Sequence, residues 1–554
     1  MLGIRRLFGI LLLLLVCAAG AQEVVLVRAD SCLGSMNPCI QGFIHGKDEQ
    51  GNLDPASVAT LSPGSWRLSK YVTYVVAEQF PVSITFNLSD SYAWSQGGYP
   101  NAKPWLDWEG YEDYIFSLLQ GVYFYFPDHP PEFFDVWNEP DLSYFWSGSY
   151  AQLLELYWRC AQVVWSVNPD ARLVGPSIAR YNENGTNVER IVPFLEDLDT
   201  EYGLRLDAIA WHENESGILG SDRPEDIIDH TNSIRSNLLE TFGPGYTPEL
   251  HVNEYSGRYV HLSPGYNAGY LHYLLEADID CAMRAAWTVY SPSDPPYGYW
   301  SDCWSGLDGM FNWDGYTPQV IYWVYEFFGR MLDKERLLTV LPNPTTVAQA
   351  VRDDSLETVL VMVGRYHHFN QPSNLTLVVE GWPYDGDSVH VVAKRVPHYD
   401  GFFNTSCPIT VSMPNGPEDS LVMDVSLTAG TFEVSVEEFK DNDVWLFTLM
   451  GDEASSIHPD PIDDYGLYAA PNPFASSTEV HFSMQNAGLA RVTIHDMTGR
   501  LVRLLTEGVT PAGDQSCIWD GNDNSGMKLP TGVYQLRLCT DTYVGSHSLV
   551  LIRE

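Results

Sequence analysis

Short apolar runs alternate with segments of helical apolar spacing from residue 22 to about residue 335. Eight of the short runs have the length and composition of buried β-strands, and they begin at Cys39, Ser65, Val82, Phe133, Arg172, Asp207, Glu249 and Arg284. The segments between them, such as "YAQLLELYWRCAQVVWSV", have the apolar stripe of amphipathic helices. Strands that alternate with helices in this way predict an α/β fold, a (β/α)8 or TIM barrel over residues 22–335.

The pattern changes after the barrel segment. Residues 336–450 contain alternating runs such as "ETVLVMVGRY" and "SVHVVAKRV" between Gly, Pro and Asn turns, which favours an antiparallel β-sandwich. Residues 451–464 are polar and Pro-bearing, as in a linker. Residues 465–554 are again typical of an all-β domain, so we predict three folded units, in keeping with a chain of 554 residues.

The first residues have the pattern of a secretory signal. "MLGIRRLFGILLLLLVCAAGAQ" combines basic residues, a short apolar run and small residues before a cleavage position at Ala21. We therefore expect residues 1–21 to be removed. The mature protein would be secreted or held at a bacterial cell surface, without a further membrane span.

Charge and cysteine content exclude several partner classes. The chain has 72 Asp and Glu residues against 30 Lys and Arg, a formal net charge of -42, which repels nucleic acid and anionic lipid. The cysteines lack zinc-site spacing, and we expect neither a metal nor an organic cofactor. The sequence allows three disulfide bonds without selecting among them: Cys32 with Cys39, Cys281 with Cys303, and Cys517 with Cys539.

Two glutamates stand at the ends of predicted strands. In "FFDVWNEP" a buried run ends at Glu139, because Pro140 removes a backbone donor and stops the strand. The seventh strand, "LHVNEYSG", carries Glu254. Catalytic groups in a (β/α)8 barrel come from the carboxyl ends of strands, so these carboxylates would face each other across the mouth. Acetal hydrolysis needs such a pair, one to protonate the leaving oxygen and one to attack the anomeric carbon or activate water.

These segments resemble the retaining glycoside hydrolases of clan A, most of all family 39, the β-xylosidases and α-L-iduronidases. The resemblance rests on the ordered set "VWNEPD", "NPDARLVGPS", "RLDAIAWHENES", "HVNEYSG" and "GLDGMFNWDGYTPQVIYWVYEFFGRML", and it covers most of residues 35–410. It implies an enzyme that cleaves β-linked, neutral oligo- or polysaccharides by double displacement, in the manner of a β-xylosidase. With the signal-like segment, we expect this enzyme to be secreted. An endo-glycanase, a uronidase and a non-catalytic glycan-binding surface protein are the alternatives.

The resemblance also implies roles for single residues. Glu139 would be the acid/base and Glu254 the nucleophile, and Asn138 would hydrogen-bond the sugar 2-hydroxyl. Arg67 would keep Glu254 ionised. His212 and Trp287 would line the sugar subsite, and Tyr255 is a further substrate-binding candidate that either hydrogen-bonds Glu254 or packs. A uronidase would need a cation for the sugar carboxylate, with Lys70, Arg180 and Arg258 available.

The C-terminal segments "AAPNPFASSTEVHFSM", "TIHDMTGRLVRLL" and "LPTGVYQLRL" are similar to Ig-like domains of exported bacterial proteins, the FlgD-like and type IX secretion sorting domains. This similarity implies a contact with the secretion machinery or the cell surface.

Overall fold

The structure is a computed structural model of the chain. It describes residues 22–44, 58–69, 77–179, 181–182, 184–185, 188, 190–213, 223–256, 263–285, 309–311, 318–366, 373–398, 413, 416–451, 467–471, 474–484, 487–496, 501–540 and 544–553. The predicted signal segment and all but the first residue of the predicted linker lie outside these ranges. Among the residues that the structure describes, no helix is long and apolar enough to cross a membrane.

A closed parallel barrel forms the first unit. The first strand of the chain, β1 (Gln22–Ser35), belongs to another sheet, and the next eight strands close the barrel in sequence order. They are β2 (Gly42–Phe43), β3 (Ser65–Leu68), β4 (Ser83–Asn87), β5 (Phe133–Asp135), β6 (Arg172–Ile178), β7 (Ala208–Glu213), β8 (Glu249–Tyr255) and β9 (Cys281–Arg284). The predicted fold class is confirmed. The eighth barrel strand begins at Cys281, three residues before its predicted start, because the buried run "CAMR" already pairs with β8 and β2.

Helices surround the barrel. The described ones are α1 (Leu88–Ser95), α2 (Trp108–Tyr125), α3 (Tyr150–Val167), α4 (Ile191–Tyr202), α5 (Asp226–Phe242), α6 (Pro264–Glu276) and α7 (Tyr322–Met331). Short 3-10 turns lie at Pro38–Ile40, Tyr99–Asn101 and Pro104–Leu106. Helix α3 shows how the sequence determines them: Ser149 and Gln152 form a capping box at its start, and its buried residues recur every three or four positions.

A disulfide joins the first and last strands of the barrel. Cys39 bonds Cys281 across a sequence separation of 242 residues, so the predicted pairings of these two cysteines are wrong. The reason is barrel closure, which sets β2 beside β9 and brings distant residues together. Cys32 is an exposed free thiol, and Cys517 is a thiol rather than a disulfide partner of Cys539.

Loss of this disulfide is expected to destabilise the barrel. A Cys39→Ser, Cys281→Ser variant should lose about 2–5 kcal/mol of unfolding free energy, because the bridge closes a long loop in the unfolded chain. Urea denaturation of the oxidised wild type and the variant measures the difference. The Cys32→Ser variant is the control and should match wild type. Equal midpoints for the double variant and wild type would contradict the prediction.

The second unit is a nine-stranded, mostly antiparallel sheet. Its strands are β1, β10 (Glu335–Val340), β11 (Thr346–Asp353), β12 (Thr358–Arg365), β13 (Ser373–Glu380), β14 (Ser388–Val396), β15 (Glu418–Ser426), β16 (Thr431–Phe439) and β17 (Val444–Met450). The predicted barrel boundary at residue 22 is therefore wrong. Strand β1 lies between β10 and β13 and buries Val25, Val27 and Ala29 in the core of this sheet.

The barrel and this sheet approach closely at α6. The Gly265 N–H donates to the Asn442 carbonyl at 2.8 Å. A Cβ at Gly265 would lie 2.2 Å from the Arg365 carbonyl oxygen, so only glycine permits the contact.

The third unit is the C-terminal β domain. It contains a three-stranded sheet and a four-stranded sheet. Its strands are β18 (Tyr468–Ala470), β19 (Thr478–Met484), β20 (Gly488–Asp496), β21 (Leu501–Thr510), β22 (Gly513–Trp519), β23 (Gly532–Thr540) and β24 (Val544–Leu551). Trp519 is fully buried in the core of the domain.

Candidate active site

The backbone after β5 holds Glu139 in a defined position. Glu139 has a φ of 46°, a left-handed conformation that is uncommon for a residue with a side chain. Its N–H donates to the Ser177 carbonyl at 2.9 Å, and the Asn138 N–H donates to Ser89 Oγ at 2.9 Å. The turn is thus tied to β6 on one side and to the first turn of α1 on the other, which directs the Glu139 carboxylate to the carboxyl end of the barrel.

His212 connects Glu139 with Glu254. Strand β7 pairs with β8 so that His212 lies opposite Glu254. The His212 Nδ1 atom is 3.1 Å from Glu139 Oε1 and 3.3 Å from Glu254 Oε2. One carboxylate oxygen from each glutamate and one His212 nitrogen lie within 4.8 Å of one another. All three side chains are buried, so the strand ends form one compact cluster.

Arg67, on β3, is the cation of the cluster. Its Nη1 donates to Glu254 Oε1 at 2.7 Å, and its Nη2 donates to Asn138 Oδ1 at 2.7 Å. Its Nε and Nη2 both donate to Asp135 Oδ2, at 2.8 and 2.6 Å. Burial alone would lower the pKa of Arg67, but the charges of Asp135 and Glu254 raise the pKa above its ordinary value. Arg67 is therefore charged, and its charge favours the ionised form of Glu254.

His212 is neutral near neutral pH. Burial lowers the pKa of His212 from 6.5 to about 4, against the opposite effect of the Glu254 charge. Because Nδ1 faces two carboxylates, the single ring proton resides on Nδ1. The Nε2 atom is then an acceptor, and it has no hydrogen-bond partner among the residues that the structure describes.

This neutral histidine predicts a pH dependence of stability. The folded pKa of His212 is about 4 and the ordinary value is 6.5, so between these values the unfolded chain binds a proton that the folded chain does not. His272 is buried with a pKa lowered to about 4 and acts in the same direction. Stability is therefore expected to fall as the pH falls through this window. Melting temperatures across the window should decline less steeply for His212→Phe than for wild type. Identical slopes would contradict the assignment.

The cluster also has the donor types of a metal site. Glu139, His212 and Glu254 each offer one ligand atom within 4.8 Å of the others. However, the Arg67 guanidinium lies 2.7 Å from Glu254 and repels a cation at that position. The charge balance of the site therefore favours a catalytic carboxylate pair over a metal centre.

The structure brings five of the predicted site residues together: Arg67, Asn138, Glu139, His212 and Glu254. Trp287 lies outside the described residues, as do the cations Lys70, Arg180 and Arg258.

Tyr255 has a packing environment. Its side chain is fully buried, its hydroxyl lies 3.2 Å from the Tyr325 hydroxyl on α7, and its ring contacts Tyr270 on α6. Neighbouring residues on a strand point in opposite directions, so Glu254 faces the barrel interior and Tyr255 faces the outer helices. These contacts favour the packing alternative for Tyr255 over a substrate contact.

Three buried polar residues of the site escaped the sequence analysis. Asp135 accepts from Ser177 Oγ at 2.8 Å, and Asn253 Nδ2 donates to Ser177 Oγ at 2.8 Å. The signal for Asp135 was present, because a carboxylate inside the apolar run "FFDVW" must have a buried partner. Ser177 and Asn253 carried no comparable signal.

Three aromatic residues connect the site with the protein surface. The Tyr99 hydroxyl is 3.0 Å from Ser89 Oγ, the atom that accepts the Asn138 N–H. The Tyr99 ring lies 4.5 Å from the Phe145 ring and 6.5 Å from the Tyr144 ring, centre to centre. Tyr144 is 53% exposed. We call Tyr99, Tyr144 and Phe145 the aromatic wall.

Comparison with known proteins agrees with this architecture. The sequence profile of the FlgD Ig-like domain matches residues 472–542. The chain is 33% identical over 82 residues to a β-xylosidase of Caldicellulosiruptor saccharolyticus, covering 15% of each protein. It is 29% identical over 175 residues to a β-xylosidase of Geobacillus stearothermophilus, covering 28% of this chain and 33% of that protein. The chain thus spans a third or less of the length of these curated relatives.

Solved structures extend the similarity to the barrel and its neighbouring sheet. A monomeric β-xylosidase from Caulobacter crescentus CB15 matches with a TM-score of 0.55 and 16% identity, over 78% of this chain and 100% of that chain. The family 39 glycoside hydrolase of Xanthomonas axonopodis pv. citri matches with a TM-score of 0.54 and 15% identity, over 78% of this chain and 98% of that chain. The chain thus has the fold of family 39 glycoside hydrolases in its barrel and adjoining sheet, and a FlgD Ig-like domain at its C-terminal end.

Proposed function

We propose that this protein is a retaining glycoside hydrolase with Glu139 as acid/base and Glu254 as nucleophile. The observation that carries the proposal is the separation of at most 4.8 Å between a carboxylate oxygen of Glu139 and one of Glu254. Retaining enzymes hold their two carboxyl groups about 5–5.5 Å apart, whereas inverting enzymes leave about 6.5–9.5 Å for a water molecule. The observed oxygen spacing is closer to the retaining range than to the inverting range and supports double displacement.

The first step of the proposed reaction breaks the glycosidic bond. Glu254 forms a bond to the anomeric carbon while Glu139 gives its proton to the departing oxygen. Asn138, oriented by Arg67, hydrogen-bonds the sugar 2-hydroxyl, and this bond tightens in the transition state.

The second step releases the sugar. Glu139, now a carboxylate, takes a proton from water, and the water oxygen bonds the anomeric carbon as the bond to Glu254 breaks. Glu139 ends protonated and Glu254 ends ionised beside Arg67, so the cycle returns both groups to their starting forms. The product keeps the configuration of the substrate.

The proposed substrate is a β-linked, neutral glycan, with β-xylosidase-like action. Two observations support it: both matched relatives are named β-xylosidases, and a net charge of -42 disfavours polyanionic substrates. Arg67 is already engaged by Asp135 and Glu254, which disfavours its use for a uronate carboxylate. A uronidase or an endo-glycanase remains the alternative activity.

A substrate panel tests the proposal. The mature chain is assayed on aryl β-glycosides and natural polysaccharides beside Glu139→Ala and Glu254→Ala, with and without a metal chelator. Hydrolysis of one sugar class, lost in both variants and insensitive to the chelator, is the expected result. NMR of the first-formed product should show the configuration of the substrate. Glycan binding without hydrolysis in every assay would overturn the proposal in favour of a glycan-binding surface protein.

We assign the aromatic wall to the side of the site that binds the leaving group. The reason is that Tyr144 belongs to the loop that carries Glu139, the proposed proton donor to the departing oxygen. Tyr144→Ala should lower kcat/KM for an oligosaccharide roughly 2- to 10-fold, the equivalent of a stacking contact of about 0.5–1.5 kcal/mol. The release of sugar from Glu254 does not involve the leaving group. The kcat for an aryl glycoside with a fast leaving group should therefore be unchanged.

Phe124→Ala is the matched control for Tyr144→Ala. Phe124 is 77% exposed but lies in the last turn of α2, which runs back from the mouth to the opposite end of the barrel. An equal effect of the two substitutions on oligosaccharides would contradict the assignment of Tyr144.

The proposal includes export of the protein. The signal-like residues 1–21 and the FlgD Ig-like domain support it. Fractionation of the producing cells should find the protein in the medium or at the cell surface, and recovery from the cytoplasm alone would overturn this part.

A further inference from the structure

We propose that Asp135 is a positioning residue for hydrolysis, which fixes the Arg67 guanidinium and offsets its charge so that Glu254 is both ionised and nucleophilic. This inference rests on the proposed function. Asp135 does not touch the place of the reacting sugar, and it acts on Glu254 only through Arg67.

Asp135 holds Arg67 by two hydrogen bonds from one side. Its Oδ2 atom accepts from Nε at 2.8 Å and from Nη2 at 2.6 Å, and its side chain is completely buried. The remaining Nη1 group then points to Glu254 at 2.7 Å. A guanidinium is planar, so fixing Nε and Nη2 also fixes the direction of Nη1.

Asp135 is itself fixed by its neighbours. Ser177 Oγ donates to Oδ1 at 2.8 Å, and Asn253 Nδ2 lies 3.3 Å from Oδ2. Asn87 Nδ2 approaches Oδ2 at 3.5 Å. These donors come from β4, β6 and β8, so the carboxylate is anchored to three strands around the barrel. A residue that only filled space would not require this set of donors.

The charges explain why a carboxylate is needed at this position. Burial raises the pKa of Asp135, and the Arg67 charge opposes that rise. With Asp135 ionised, the positive field of Arg67 at Glu254 is partly cancelled. Without Asp135, Arg67 would stabilise the Glu254 carboxylate more strongly and make it a weaker nucleophile. Among the residues that the structure describes, the ionisable groups that interact with Asp135, Arg67 or His212 in this cluster are Glu139, Glu254, Asp90, Tyr99, Tyr157 and Cys160.

Asp135→Asn is the first test, because it removes the charge at nearly constant shape. Loss of a negative charge favours ionised Glu254, so the acid limb of the kcat/KM profile should move to lower pH by about 1 unit. The kcat should fall about 100-fold, since Arg67 is less well held. If Asp135→Asn is active and the acid limb of its kcat/KM profile stays at the same pH as in wild type, the inference is overturned.

Glu213→Gln is the matched control. Glu213 is also a buried carboxylate near a strand end, but its Oε1 accepts from Trp211 and lies 2.9 Å from His230 Nδ1. This variant should keep the position of the acid limb. An equal shift in both variants would show a general effect of buried charge and would overturn the specific role of Asp135.

A measurement without turnover separates this inference from the proposed function. Carbon-13 NMR of labelled glutamate carboxyl groups follows the titration of Glu254, with the resonance assigned by its loss in Glu254→Gln. The titration should move to lower pH in Asp135→Asn whether or not any glycoside is cleaved. If that variant does not fold, Ser177→Ala keeps the charge but frees the carboxylate. If the enzyme is active, the kcat of Ser177→Ala should differ from that of wild type. If the chain is inactive, the line width of the Arg67 side-chain NMR signal should differ instead. No difference in the applicable measurement would overturn the inference.

Discussion

Glu254→Gln is expected to lower kcat roughly 10⁴- to 10⁶-fold, the scale observed when a covalent nucleophile or its direct partner is removed from a hydrolase. Gln has the shape of Glu but is a poor nucleophile, and it still accepts a hydrogen bond from Arg67. The fold should therefore be retained. Steady-state kinetics and circular dichroism measure the two effects. Wild-type turnover by the variant would show that Glu254 is not the nucleophile.

Azide sharpens the test of both glutamates. In Glu254→Ala, azide enters the space of the missing carboxylate and attacks the anomeric carbon from the side opposite the leaving group. A β-glycoside should then give an α-glycosyl azide. In Glu139→Ala, azide attacks the glycosyl-enzyme and should give the β-glycosyl azide. The reverse assignment of products would mean that the two glutamates exchange roles.

Arg67→Met is expected to cause the largest loss of stability. Arg67 is 4% exposed in its side chain, and its removal leaves Asp135 and Glu254 buried without their cation. Breaking a buried ion pair in this way costs about 3–5 kcal/mol, because the remaining charge is neither solvated nor paired. Urea denaturation measures the loss, and hydrolysis should be abolished as well.

Two variants control the Arg67 result. Arg67→Met with Asp135→Asn should recover part of the lost stability, since one uncompensated charge is removed. Arg159→Met breaks the surface pairs with Glu112 and Glu155 and should cost only about 0–1 kcal/mol. If Arg67→Met and Arg159→Met are equally stable, the buried network does not contribute as the structure indicates.

The barrel and its neighbouring β units were predictable because the apolar pattern of each strand and helix lies within a short segment of the sequence. Each strand is a short apolar run, and the strand-end rule places Glu139 and Glu254 at the barrel mouth together with Glu213, which also ends a strand. The family resemblance then distinguishes Glu139 and Glu254 from Glu213. The position of β1 was not predictable in this way. Its alternation of apolar and polar residues predicts a strand but does not say which of two sheets it joins.

The details of the site depend on contacts that sequence spacing does not encode. Cys39 meets Cys281 only because the barrel closes. Asp135, Ser177 and Asn253 come from three strands and meet beneath Arg67, and no local pattern relates them. Tyr255 is different, because strand alternation beside Glu254 already indicated that its side chain faces outward. The family resemblance named five residues that the structure brings together, but it did not reveal the buried polar residues that support Arg67.

The most direct test of the central claim is covalent trapping of the glycosyl-enzyme. The wild-type chain is treated with a glycoside that has fluorine in place of the 2-hydroxyl and a dinitrophenyl leaving group, and its peptides are analysed by mass spectrometry. We expect one fluoroglycosyl group on the peptide that contains Glu254 and none on the Glu254→Gln variant. A label on another residue, or steady turnover without any covalent adduct, would contradict the central claim.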